Sequence, residues 1–585
     1  MKKKIIKSIT FLFIIVIFFI IGRYLSGAVF LKLINHPLSE IQFNTLSLYN
    51  DNSMNIIKYK NIAYLINVVF GLIPVVLILI VFFSLKNKRK LYGNARFASD
   101  QDLEKSGLFF KGKKEYPDVL VGKMATGKFK DHFIKFANQQ FISVKAPTRS
   151  GKGVDIVIPN CLNYRDSIVV LDIKLENFKK TAGYRESMGQ EVYLFSPDGF
   201  NVGDGKLKSH KWNPLFYIRR NTMYRVGDCY NIANILYPLV GDAKTDIWNQ
   251  LAQKVFVGLV LYMLDLEDVN PNVTLTRLID LTNQDEGFAK WCANVVRNGD
   301  HLSDQCKSEL NSFSSSAGAT QGSIFSNLIA PLGIFKDGVT SESVSGNDFN
   351  FSDIRKKRMS IYVGVQPRNI DKFSTLINLF FSQLISENTA ELPEDNHELK
   401  YQALLVLDEF TSIGRVNIIL KSVAYTAGYN IRYLFIYQSK GQLSSEANYG
   451  KDGAETLISN TAMKVIFPPS KVDEDAKEIS ESLGYYTMKH RNRSKTYSTQ
   501  GSRTDNNTEE KRALMMPQEV VELGYENYKM RNGKEITFKI NKIIMSEGIR
   551  PFKAKKIVYF DEPVFMKRVE FSEKNIPKIP NLLGD

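Results

Sequence analysis

A chain of 585 residues is too long for one hydrophobic core and is read as several domains. Its 44% hydrophobic and 24% charged content excludes a disordered or fibrous protein. Lys and Arg number 77 against 61 Asp and Glu, a net charge of +16, which favours an anionic partner such as nucleic acid or an acidic membrane surface.

Residues Ile5 to about Ser26 are apolar beyond Lys7, interrupted late by Arg23. Ile62 to Leu85 form a second, uncharged run, long enough as a helix to cross a hydrocarbon core of ~30 Å. Gly71 and Pro74 inside it are tolerated in membrane helices. Lys2, Lys3, Lys4 and Lys7 precede the first run, and Lys86, Lys88, Arg89 and Lys90 follow the second. The stretch between holds only Lys32, Lys58 and Lys60. Positive charge collects on the cytoplasmic side, so both termini are expected inside, with an exported loop near residues 27–60. A signal peptide cut near Ser26-Gly27-Ala28 is the rival reading of the first run, and Arg23 fits poorly before such a cut. Under either reading the second run keeps the remaining body in the cytoplasm.

In that body, apolar runs without alternation predict strands buried on both faces, as in a parallel sheet. These are Phe141–Val144, Ser167–Leu171, Glu191–Phe195, Met359–Val365, Ala403–Leu407 and Tyr433–Tyr437. Ile247–Leu264 has helical periodicity and few strand signals occur until Met359, so a mainly helical insertion is expected there. The division predicted is 1–90 membrane anchor, 91–219 first part of a nucleotide-binding domain, 220–350 all-α insertion and 351–585 second part. Lys489 to Arg512, polar and carrying Arg491, Arg493, Lys495 and Arg503, reads as a flexible loop. Cys161, Cys229, Cys292 and Cys306 form no CxxC pair and read as structural thiols.

The chemistry centres on Phe141-Ile-Ser-Val-Lys-Ala-Pro-Thr-Arg-Ser-Gly-Lys-Gly-Val154. A strand running into a tight turn of small residues and then a helix lets the loop of Pro147, Thr148, Arg149, Ser150, Gly151, Lys152, Gly153 and Val154 wrap phosphates, with backbone N–H groups donated by the residues after the proline. Lys152 would reach the β- and γ-phosphates. The strict GxxxxGK[ST] pattern fails twice, at Ala146 and at Gly153, where a magnesium-holding hydroxyl is usual. Leu404-Leu-Val-Leu-Asp-Glu-Phe410 is an apolar strand ending in two acids. Asp408 there would hold Mg²⁺ and Glu409 would act as general base. Gln438, at the end of a further strand, is a candidate sensor of the γ-phosphate. Asp172 and Lys174, at another strand end, suit an ion pair or a catalytic role equally.

Together these residues resemble the type IV coupling proteins, the TraG/TraD-type ATPases of conjugation and type IV secretion. The resemblance runs through most of the chain. It includes the two N-terminal runs, Gly93-Asn-Ala-Arg-Phe-Ala98, the phosphate loop with Gly153 after Lys152, and Val170-Leu-Asp-Ile-Lys-Leu-Glu176 with Leu175 in place of Gly. It continues through Trp212-Asn-Pro-Leu215, Leu407–Phe410, Gln438-Ser439, Arg512–Val520 and Pro551–Lys556. It implies an α/β fold: a RecA-like P-loop NTPase domain with an inserted all-α domain, preceded by two transmembrane helices. It further implies ATP and Mg²⁺ as cofactors, a homo-hexameric ring under the secretion channel at the inner membrane, and delivery of single-stranded DNA with its relaxase, or of effector proteins. Rival readings are an FtsK-like duplex DNA pump and a cargo-docking receptor that uses ATP only as an assembly switch. Asp155 stands where many relatives have Gly, and Arg415 and Arg432 are alternative arginine fingers.

Overall fold

The computed structural model describes residues 2–51, 57–84, 91–110, 112, 114–201, 203, 205–495 and 503–583, and it divides into two units, 1–91 and 92–585. In the first unit, helices Lys2–Leu33 and Ile57–Ser84 pack together around Phe30, Leu46, Ala63 and Ile66. At about 1.5 Å per residue each exceeds the thickness of a bilayer core. Arg23 has partners inside this unit: its guanidinium donates to Asn67 Oδ1 at 2.9 Å and Ser47 Oγ at 3.1 Å. An arginine in an apolar helix is thereby paired rather than left bare. Of the second apolar run, the helical backbone is described to Ser84; the side chains of residues 71–75, 77, 79 and 81–84, and all of Leu85, lie outside the described residues.

The second unit is built on an 11-stranded sheet. In chain order its strands are β1 Val119–Met124, β2 Phe133–Phe136, β3 Phe141–Lys145, β4 Ser167–Leu171, β5 Glu191–Phe195, β6 Met359–Val363, β7 Ala403–Leu407, β8 Ile431–Tyr437 and β9 Thr461–Ile466. Two separate ribbons follow, β10 Tyr485–Lys495 with β11 Arg503–Ala513, and β12 Asn527–Lys529 with β13 Glu535–Lys539. The chain then re-enters the large sheet as β14 Asn541–Ser546 and β15 Ile549–Lys555. The order across it is β2-β1-β15-β14-β9-β3-β8-β7-β4-β6-β5. From β9 to β5 every pairing is parallel, and from β2 to β9 every pairing is antiparallel.

The parallel strands form because both faces are covered. Alternate residues of β3 and β4 enter two different cores: Phe141, Val169 and Leu171 on one face, Ile142, Val144, Ile168 and Val170 on the other. Between β5 and β6 the named elements are all helical among the described residues, from Arg225–Leu236 to Gly338–Ser343. Asp242, Thr274 and Ser303 start three of these helices by accepting a backbone N–H three residues on. Helix Ala243–Asp265 is long and apolar enough to cross a membrane, but most of it is buried among its neighbours, so it is a core helix.

Two expectations are corrected here. Lys489–Arg512 is no loose loop: its described residues belong to β10 and β11, which pair from Tyr485↔Ala513 to Lys495↔Arg503. Mutual backbone pairing satisfies a ribbon of polar residues without an apolar face, so polarity alone misreads it. Residues 496–502 lie outside the described residues. Arg432 is fully buried in β8, donating to the carbonyls of Gln140 at 2.8 Å and Phe136 at 3.0 Å. A guanidinium enclosed this way ties β8 to the turn before β3 and cannot reach a neighbouring subunit.

Candidate functional site

The ends of β3, β8, β7 and β4 lie side by side, with Lys145 level with Tyr437, Leu407 with Phe435, and Leu171 with Leu407. Whatever follows each strand therefore meets at one edge of the sheet, where parallel α/β sheets place ligands. After β3 comes the phosphate loop, after β7 Asp408-Glu409, after β8 Gln438, and after β4 Asp172. A cavity of about 390 Å³ opens among them. Thr148, Arg149, Ser150, Gly151, Lys152, Gly153, Val154, Asp172, Lys174, Asp408, Glu409 and Gln438 line it, and Pro147 does not.

The loop's backbone alternates in hand. Arg149 has φ 58° and Gly151 φ 83°, the mixed conformation that turns successive N–H groups toward one concavity. Lys152 Nζ lies 2.9 Å from Asp408 Oδ1 and 3.3 Å from Glu409 Oε1. Thr148 Oγ1 donates to Gln438 Oε1 at 2.9 Å. Glu409 itself sits at φ 53°, a left-handed backbone that costs a non-glycine residue of order 1–3 kcal/mol and is typical of functional sites. Burial raises the carboxyl of Asp408 above its ordinary range, and the Lys152 ammonium opposes that rise.

The residues fit a nucleotide phosphate chain with its metal. Ser150 Oγ is buried without a hydrogen-bond partner, a polar atom that a phosphate would satisfy, and Asp408 Oδ1 has only the Lys152 ammonium against it, which a bound cation would replace. A Cβ added at Gly153 would meet nothing within 4 Å, so the missing hydroxyl leaves open space beside the loop.

Asp172 and Lys174 do not pair. The buried Asp172 carboxylate accepts from Phe178 N–H at 2.7 Å and Asn177 Nδ2 at 3.0 Å, capping helix Glu176–Ser187, while Lys174 is exposed. Burial pushes the Asp172 carboxyl up to about 7 against those donors. Arg415 is exposed past the end of β7, its Nε donating to Asn417 Oδ1 at 2.7 Å. Asp155 has a clear physical account. Its fully buried carboxylate accepts from Lys542 Nζ and, at 2.7 Å, from Ile557 N–H. Sequence reading missed Lys542 because the pair spans nearly 400 positions.

The family described as "Type IV secretory system Conjugative DNA transfer" matches residues 96–579. The chain belongs to this family of P-loop ATPases. Among its relatives, it is 27% identical over 519 residues to Conjugal transfer protein TraG of Escherichia coli, covering 83% of this chain and 79% of that one. It is 27% identical over 514 residues to Protein VirD4 of Rhizobium radiobacter, covering 86% of this chain and 69% of that one. Among solved structures, plasmid coupling protein TrwB in complex with ADP and Mg²⁺ matches at a TM-score of 0.54 and 14% identity, over 80% of this chain and 95% of that one. TrwB with the ATP analogue ADPNP matches equally well. The coupling-protein likeness extends to the α/β fold expected from the sequence. Leu175 adopts φ 53°, so this left-handed turn is made without glycine, the residue that adopts it most easily.

Proposed function

We propose that this member of the coupling-protein family is the membrane-anchored ATPase that delivers single-stranded DNA with its bound relaxase, or an effector protein, to a type IV secretion channel. The observation that supports it best is the convergence of Lys152, Asp408, Glu409 and Gln438 on one phosphate loop. ATP with Mg²⁺ is the ligand proposed, in keeping with the ADP and Mg²⁺ named for TrwB. The loop from Thr148 to Val154 holds the phosphates, and Lys152 leaves its acidic partners to neutralise them. Asp408 holds the metal directly or through water, because Gly153 brings no hydroxyl. Bound Mg²⁺ draws negative charge from the phosphates. Glu409 accepts the proton of the attacking water and Gln438 orients that water. In a homo-hexameric ring Arg415, exposed beside the acidic strand end, supplies its charge to the neighbouring subunit's site. Helices Lys2–Leu33 and Ile57–Ser84 anchor the protein in the inner membrane, with the main body in the cytoplasm, and the net charge of +16 suits a grip on the phosphate backbone.

Phosphate release and binding of a fluorescent ATP analogue test the site. Lys152→Ala is expected to lose both. Glu409→Gln is expected to keep binding and lose turnover by roughly 10²-fold or more. Turnover that survives Lys152→Ala contradicts the assignment.

A further inference from the structure

The stretch from β12 to the residues after β15 touches the phosphate loop at two places and the helical turn that follows it at a third, and none of its residues lines the cavity. Lys556 Nζ donates to the carbonyl oxygen of Ser150 at 2.9 Å. The ring of Phe538, in β13, lies against Gly151: a Cβ there would stand 1.9 Å from Phe538 Cε2. Asp155, one turn beyond, is held by Lys542 and by Ile557 N–H.

The first contact bears on the chemistry. In a trans peptide the carbonyl and the following N–H point in opposite directions, and this chain has no cis peptide among its described residues. Drawing the Ser150 carbonyl onto Lys556 therefore turns the Gly151 N–H the other way, toward the concave side of the loop that Gly151 presents to the cavity. Among the described residues that N–H meets no acceptor. The Lys556 ammonium is itself held 4.4 Å from the Phe467 ring centroid and 5.1 Å from that of Phe538, cation–π contacts that offset part of its burial. Phe538 is fixed in turn through its hairpin, which is held at β12 and at the turn after it. Tyr528 Oη donates to Asp561 Oδ2 at 2.5 Å and Arg531 Nη2 to Glu562 Oε2 at 2.8 Å.

We infer that residues 528–557 form a clasp that holds the phosphate loop in its anion-binding conformation, with Lys556 and Phe538 as positioning residues for the nucleotide. This rests on the reading of the cavity as a nucleotide site. It assigns work to the C-terminal hairpin and to the Pro551–Lys556 motif, which lie outside the catalytic constellation.

The test uses the full-length protein, a fluorescent ATP analogue as probe, and steady-state ATPase assays. Lys556→Met and Phe538→Ala are each expected to raise the analogue's Kd and the KM for ATP roughly tenfold, the loss of one charge-assisted hydrogen bond or its support, with a smaller change in kcat. Lys556→Arg keeps a donor and is expected to restore Kd to within about threefold of wild type. Thermal melts report folding separately, and Phe538→Ala, in a half-buried hairpin residue, carries the test if Lys556→Met does not fold. Folded variants whose Kd and KM stay within about twofold of wild type overturn the clasp and leave the nucleotide reading standing. A wild type that binds no nucleotide overturns both.

Discussion

Asp155 follows the phosphate-loop lysine by three positions, and its carboxylate and the Lys542 ammonium are both fully buried. Taking two charges out of water is costly, and close contact with a further N–H repays it only while both partners are present. Lys542→Met is expected to lower stability by about 3 kcal/mol, and adding Asp155→Asn to recover a good part of that loss, as read by urea unfolding. A single variant as stable as wild type would contradict the pairing. Lys556 lies in the same cluster, and burial pulls its ammonium down to about 7. In the unfolded chain it keeps its proton to about pH 10.4, so between those values the unfolded state binds more protons and stability rises with pH. Lys556→Met is expected to remove up to about 1.4 kcal/mol per pH unit of that rise between pH 7 and 10. An unchanged slope would place Lys556 in water. Lys542 did not stand out in the sequence, and Lys556 did so only as the last residue of the Pro551–Lys556 element, because a lysine in a charged stretch reads as solvated and its partner lies hundreds of residues away.

At the scale of elements, the turn after β4 carries a strained Leu175 whose side chain fills the space above Gly364. A Cβ at Gly364 would stand 2.2 Å from Leu175 Cδ2 and 2.7 Å from the Asp172 carbonyl oxygen. Gly364→Ala is therefore expected to cost about 1–3 kcal/mol and to displace Asp172, which lower melting temperature and weaker nucleotide binding would report together. Trp212-Asn-Pro-Leu215 is a seam rather than a catalytic element. Trp212 is buried against Phe195 and Phe380, with ring centroids 5.4 and 5.0 Å away, and Asn213 Nδ2 donates to Val273 O at 2.8 Å in the helical segment. Trp212→Ala is expected to cost about 3–5 kcal/mol in thermal or urea unfolding without altering the nucleotide affinity of folded protein. The parallel strands were legible because β4 and β7 are unbroken apolar runs. The antiparallel flank was not, since β14 and β15 carry Lys542, Lys553, Lys555 and Pro551, residues that argue against buried strands until their partners are known. The phosphate loop and the acidic strand end were legible as local patterns, whereas the cap made by Asp172 and the enclosure of Arg432 depend on neighbours distant in sequence.

For the molecule as a whole, two helices precede a sheet whose nucleotide edge faces one cavity, and the net charge is strongly positive. A motor that grips phosphates rather than bases should bind single strands of any sequence and weaken steeply with added salt, because counterions released on binding gain less entropy in a saltier solution. The central claim is that nucleotide turnover at this loop is coupled to single-stranded DNA. The direct measurement is the ATPase rate of the full-length protein with no DNA, single-stranded DNA and duplex DNA, for wild type and Lys152→Ala. We expect single-stranded DNA to raise the wild-type rate well above both other conditions, the stimulation to fall with added salt, and Lys152→Ala to abolish it. Stronger stimulation by duplex would favour a duplex pump, a wild-type rate indifferent to DNA would favour a docking receptor, and either result would contradict the account.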